Sequence, residues 1–69
     1  MKFKKAVKLM QEGKFLSSSI MDNQKEYVYY DSKLETFAYS YADSDIWTTY
    51  VFDIEDILNR NWTLYKGAL

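Results

Sequence analysis

The sequence predicts an α+β fold, with an N-terminal helix, an antiparallel sheet of about four to five strands, and a short helix before the final strand. Three observations carry this expectation. Phe3, Ala6, Val7 and Met10 recur at i, i+3, i+4 and i+7, the apolar stripe of an amphipathic helix. From residue 14 the period changes, and β-branched and aromatic side chains dominate as far as "IWTTYVF". Finally, "DIEDILNRNWTLY" at 53–65 reads as a capped helical turn, a stop and a strand.

Taken in order, the first helix spans residues 3–12, and Gly13 ends it because glycine tolerates a left-handed backbone. Lys2, Lys4, Lys5 and Lys8 then form its solvated face. "KFLSSSI" and "KEYVYYD" flank "MDNQ", a polar stretch suited to a hairpin turn. "YVYY" carries large side chains on both faces, which predicts cover on both. In "SKLETFAYSYA", Phe37, Tyr39 and Tyr41 share one face, while Thr36, Ala38 and Ser40 share the other. A loop around "DSD" leads into "IWTTYVF". Asp53 is a good N-cap with Asp56 three residues on, a relative of the capping box. Ile54, Ile57 and Leu58 are expected to bury one side of a helix of about two turns, since so short a helix needs tertiary support. Asn59 or Asn61 ends it in a left-handed conformation. Trp62 and Leu64 then alternate with Thr63 and Tyr65, and Trp62 is expected in the core against Phe3, Val7 or Ile57.

The 69 residues make a single domain, 1–69, in which a small core leaves stability marginal without a supplement. The chain has no cysteine and no histidine, which removes disulfides and thiolate metal sites and leaves only all-oxygen metal ligation. Oligomerisation remains as the supplement. Seven tyrosines, four phenylalanines and two tryptophans favour it, because tyrosine and tryptophan join a large apolar face to a polar tip. Nine basic and ten acidic residues leave a net charge of −1, which does not indicate a long nucleic acid partner. No apolar run approaches the roughly 18 residues of a membrane span. The basic start "MKFKKAVKLMQEGK" lacks the apolar segment and cleavage site of a signal peptide, so a cytoplasmic protein is expected.

Enzymatic chemistry is not expected. Without His and Cys the commonest general base and the strongest nucleophile are both missing. Asp43 and Asp45 resemble a fragment of a calcium loop, but the glycine and the bidentate acid that complete such a loop are absent. "SSS" at 17–19 lacks a glycine-rich phosphate cradle and reads as an edge strand with small side chains. No cofactor is expected.

The two ends carry a resemblance. "F-x-x-A-x-x-x-M-x-x-G-K" at 3–14 and "D-I-x-D-I-L-x-x-N-W" at 53–62 resemble the bacteriophage Thoeris anti-defence proteins of the second type. The resemblance implies a compact α+β phage protein that assembles into oligomers and acts as a sponge. Such a sponge traps cyclic ADP-ribose-type signals, or in relatives cyclic oligonucleotides, without cleaving them. The chain departs from that pattern in carrying "FLSSSIMDN" after Gly13-Lys14, where the family has basic residues and a tryptophan. It also has Asn61 in place of the usual aspartate before Trp62.

Holding a nucleotide without chemistry requires rings for its base, donors for its phosphates and closure from water. Stacking contributes roughly 1–3 kcal/mol per base. Tyr27, Tyr29, Tyr39, Tyr41, Trp47 and Tyr50 are the candidate stacking residues, with Lys14 and Arg60 as candidate phosphate contacts. A chain this short has little depth for a pocket, so a site between subunits of a dimer or tetramer is expected. The competing reading is a small inhibitor that binds a host defence protein through its aromatic surface. A third is a purely structural subunit.

Overall fold

The computed structural model describes residues 1–18, 21, 25–42 and 46–65. The expected turn at 22–24, the loop at 43–45 with its two aspartates, and Ser19 lie outside the described residues. The element order is α1 (Phe3–Gln11), β1 (Leu16–Ser17), β2 (Glu26–Asp31), β3 (Thr36–Tyr41), β4 (Thr48–Thr49), α2 (Ile54–Leu58) and β5 (Thr63–Leu64). The strands form one antiparallel five-stranded sheet in the order β4-β3-β2-β1-β5. The fold is α+β, as the pattern of the sequence predicts. "KFLSSSI" and "IWTTYVF" contribute strands of only two residues each.

α1 ends as its sequence requires. Gly13 takes φ +96°, its N–H donates to the Met10 carbonyl, and the Lys14 N–H reaches back to the Leu9 carbonyl, each at 3.0 Å. That pair of bonds is a Schellman motif, which satisfies carbonyls the helix leaves open. The β2–β3 hairpin turns through residues 32–35. Asp31 Oδ1 accepts the Lys33 N–H at 2.9 Å and the Leu34 N–H at 3.2 Å, and Glu35 is left-handed at φ +52°. The register pairs Val28 with Tyr39 and Tyr30 with Phe37, so these four side chains share the face that carries the helices. Ala6, Met10, Leu16, Val28 and Trp62 form the fully buried core on that face. Phe3 and Phe52 close around Trp62, with ring centroids at 6.4 Å and 6.3 Å.

Two expectations about α2 are overturned. Ile54, Ile57 and Leu58 do not bury one side of the helix; they are 70%, 50% and 70% exposed. Polar bonds hold the helix instead. Asp53 Oδ1 accepts the Asp56 N–H at 2.9 Å while Asp56 Oδ2 accepts the Asp53 N–H at 3.1 Å, a complete capping box. The Tyr50 hydroxyl donates to Asp56 Oδ2 at 2.8 Å, and the Trp62 indole N–H donates to the Asp56 carbonyl at 3.0 Å. Nor does an asparagine end the helix in a left-handed conformation. Asn59 is extended at φ −66°, ψ 127°, and its Oδ1 accepts the Asn61 N–H at 2.9 Å. The indole already takes a carbonyl of the last turn, so a left-handed cap is not needed there.

Candidate functional site: an uncovered aromatic sheet face

Alternation sends every second side chain of the sheet away from the helices. Tyr27 and Tyr29 of β2 lie on that side, opposite Ser40 and Ala38 of β3. The β1 register, Leu16 against Val28, sets Phe15 beside Tyr29 and Ser17 beside Tyr27. β5 pairs Ser17 with Thr63, and the Tyr65 N–H donates to the Phe15 carbonyl at 2.9 Å, which brings Tyr65 to the same face. The result is a packed cluster of rings, with Tyr65 buried at its base. Phe15 and Tyr27 stack with centroids 4.8 Å apart and planes 15° apart. Tyr27 and Tyr65 lie at 4.7 Å, Phe15 and Tyr29 at 5.2 Å, and Tyr27 and Tyr29 at 6.0 Å. Among the described residues no helix or strand lies over them. Among the described residues, a helix covers "YVYY" on one face only.

Small residues make the rest of the floor. Ala38, Ser40 and Ser17 are buried among the larger side chains. Ser40 Oγ donates to the Ile46 carbonyl at 2.7 Å, which holds the segment entering β4 against β3. Trp47 stands two residues before Thr49, the partner of Ala38, and so continues the same face at the sheet edge, where it is exposed. Ser17 Oγ is buried and has no hydrogen-bond partner among the described residues. Burial first, then the negative charge of Asp31 and the neighbouring Tyr27 hydroxyl, push the Tyr29 pKa above the ordinary tyrosine value. At neutral pH the hydroxyl is protonated and able to donate.

The structure divides the eight residues singled out from the sequence. Tyr27, Tyr29 and Trp47 belong to the uncovered face. Tyr39 and Tyr50 lie on the helix side, edge to face at 5.6 Å, with Tyr50 bonded to Asp56. Tyr41 is exposed at the end of β3 opposite Glu26. Lys14 is exposed at the corner between α1 and β1, and Arg60 is exposed between α2 and β5. Phe15 and Tyr65 were not among the eight. For Tyr65 a signal existed, because the alternation in "WTLY" sets it opposite to the buried Trp62.

No group of three or more His, Cys, Asp or Glu among the described residues is placed to hold a metal ion. No helix among them is long and apolar enough to cross a membrane. What the face offers is the partly exposed ring surface of Phe15, Tyr27 and Tyr29; Tyr65 is only 8% exposed and its hydroxyl donates to the Lys25 carbonyl at 3.4 Å. Lys25 and Lys33, on the segments flanking β2, are exposed. No family model, curated protein or solved structure matches this chain.

Proposed function

We propose that the protein is a phage-type anti-defence sponge. It binds and sequesters a cyclic nucleotide immune signal, of cyclic ADP-ribose type or a cyclic oligonucleotide, and does not cleave it. The observation that carries this reading is the partly exposed ring cluster of Phe15, Tyr27 and Tyr29, stacked over the buried Tyr65. A planar base can extend such a stack at its outer rings, and the resemblance at the two ends of the chain points the same way. The absence of His and Cys supports capture over turnover.

Two stacked bases contribute about 2–6 kcal/mol, short of the roughly 8 kcal/mol of micromolar binding. Closure by a second copy and phosphate contacts from exposed lysines supply the remainder. The working form is accordingly a homo-oligomer, dimer or tetramer, acting in the host cytosol. The second reading is an inhibitor that grips a host defence protein through the same aromatic surface. The exposure of Trp47 at the rim favours it, since tryptophan is a frequent interface anchor. Protein purified from cells producing the signal and then heated separates the two. Mass spectrometry of an intact released nucleotide supports the sponge. A co-purifying defence protein with no nucleotide transfers the case to the inhibitor.

A further inference from the structure

The side of the molecule opposite the aromatic face carries a second, chemically different surface. On α2, Ile54 and Leu58 stand one turn apart, each 70% exposed, and Val51 at the entry to the helix is 83% exposed. Ordinary amphipathic logic buries such a stripe within its own chain. Here the capping box, Tyr50 and Trp62 hold the helix and leave the stripe outward. Asp53 and Glu55 are exposed beside it, so the surface is aliphatic and acidic.

Next to it lies the complement. The outer surface of α1 exposes Lys2, Lys4, Lys5 and Lys8, with the half-buried Val7 along one edge of the lysines. α1 and α2 touch and lie on the same side of the sheet. Among the described residues, none of these lysines forms an ion pair, and neither does Glu55. We infer that the helix side is an interface with a second copy of this chain, in which α2 of each copy lies on α1 of the other.

Two complementary patches side by side on one face are exchanged by a two-fold rotation about an axis between them. Both contacts then form at once and the assembly closes as a dimer. Ile54 and Leu58 lie beside Val7 and along the apolar stems of the lysines, while Glu55 meets the ammonium groups. The opposite-sign pairing sets the relative orientation of the copies and rejects parallel pairing of like patches. This contact does not depend on the ligand reading and leaves the aromatic face outward, so that closing that face over a ligand takes a second such dimer.

The test is sedimentation of the ligand-free protein, with circular dichroism to confirm folding. The wild type should be a dimer in low salt, and its association should weaken at least about tenfold in high salt as the charges are screened. An Ile54→Ser/Leu58→Ser variant should be a folded monomer, because both side chains are already largely exposed. Lys4→Glu/Lys8→Glu should be monomeric alone but form a heterodimer when mixed with Glu55→Lys, since that pair restores opposite charges at both contacts. A wild type that stays monomeric at high concentration in low salt overturns the inference. So does a dimer that survives Ile54→Ser/Leu58→Ser, which would move the contact to the aromatic face. Two reversed-charge variants that fail to pair also overturn it.

Discussion

On the helix side of the sheet, Phe3, Phe37, Tyr39, Tyr50 and Phe52 meet edge to face, with ring planes 70–79° apart. On the other side, Phe15, Tyr27, Tyr29 and Tyr65 lie with planes 15–54° apart and, among the described residues, no element over them. The residue types are the same, and neighbours such as Val28 and Tyr29 belong to opposite sides. Edge-to-face rings fill a volume and satisfy their quadrupoles internally. Rings stacked closer to parallel, with centroids 4.7–5.2 Å apart, cover one another, and only the outer rings of the cluster keep surface for something else to cover. Aromatic content alone therefore does not mark a site. What distinguishes the sides is where the helices dock.

That contrast is exposed most severely by Trp62→Ala. Removing the largest fully buried side chain should cost about 3–5 kcal/mol, enough to unfold a domain this small. A Trp62→Ala protein that melts cooperatively near the wild-type temperature would contradict the assignment of this side as the core. Asp56→Ala comes next. It removes the acceptor of the Tyr50 hydroxyl and one half of the capping box, for a loss of about 1–2 kcal/mol in urea denaturation.

Ser17→Ala sharpens the comparison in the opposite direction. Its hydroxyl is buried and unpartnered on the aromatic side, so its removal should stabilise the protein by about 1 kcal/mol. A destabilised Ser17→Ala protein would show that the hydroxyl has a partner after all. The pH dependence should also separate the faces. Burial first, then the hydrogen bond to Asp56 and the charges of Asp56, Asp53 and Glu26, raise the Tyr50 pKa above the ordinary 10.0. A raised pKa means that the folded state holds the proton more tightly. The contribution of Tyr50 to stability is thus complete below pH 10.0 and is lost as pH rises above it. Denaturation measured across that range should fall off steeply for the wild type and less steeply for Tyr50→Phe. The smallest effect is expected on α2, where Ile54→Ser should change the stability of a monomer by less than about 0.5 kcal/mol.

Several features were legible in residue order because local chemistry decides them. Gly13 had to end α1, Asp53 and Asp56 had to cap α2, and the alternation of Thr36–Tyr41 put Ala38 and Phe37 on opposite faces. The candidate site was only half legible. Tyr27 and Tyr29 were identifiable as rings on a strand, but so were Tyr39 and Tyr50. Which of them the helices cover depends on contacts made far along the chain. The N-terminal ammonium of Met1 donates to the Trp62 carbonyl at 2.6 Å, and Trp62 N–H donates to the Met1 carbonyl at 3.1 Å. These contacts join the start of α1 to the start of β5 and fix the covered side. The outward stripe of α2 was misread for a related reason. Amphipathic spacing shows that a helix has an apolar side, whereas only the polar bonds around Asp56 show that this side is not the one holding it in place.

The central claim is that the uncovered aromatic face is the binding surface, and calorimetry with cyclic ADP-ribose isomers and cyclic dinucleotides tests it most directly. Wild-type protein and a Tyr29→Ala variant of unchanged fold are compared. The account predicts saturable heat with at least one of these nucleotides and recovery of the ligand intact. Loss of one stacking contact of roughly 1–3 kcal/mol should weaken affinity about fivefold or more in Tyr29→Ala. Equal affinity in the two proteins, or no heat from the wild type with any of these nucleotides, would contradict it.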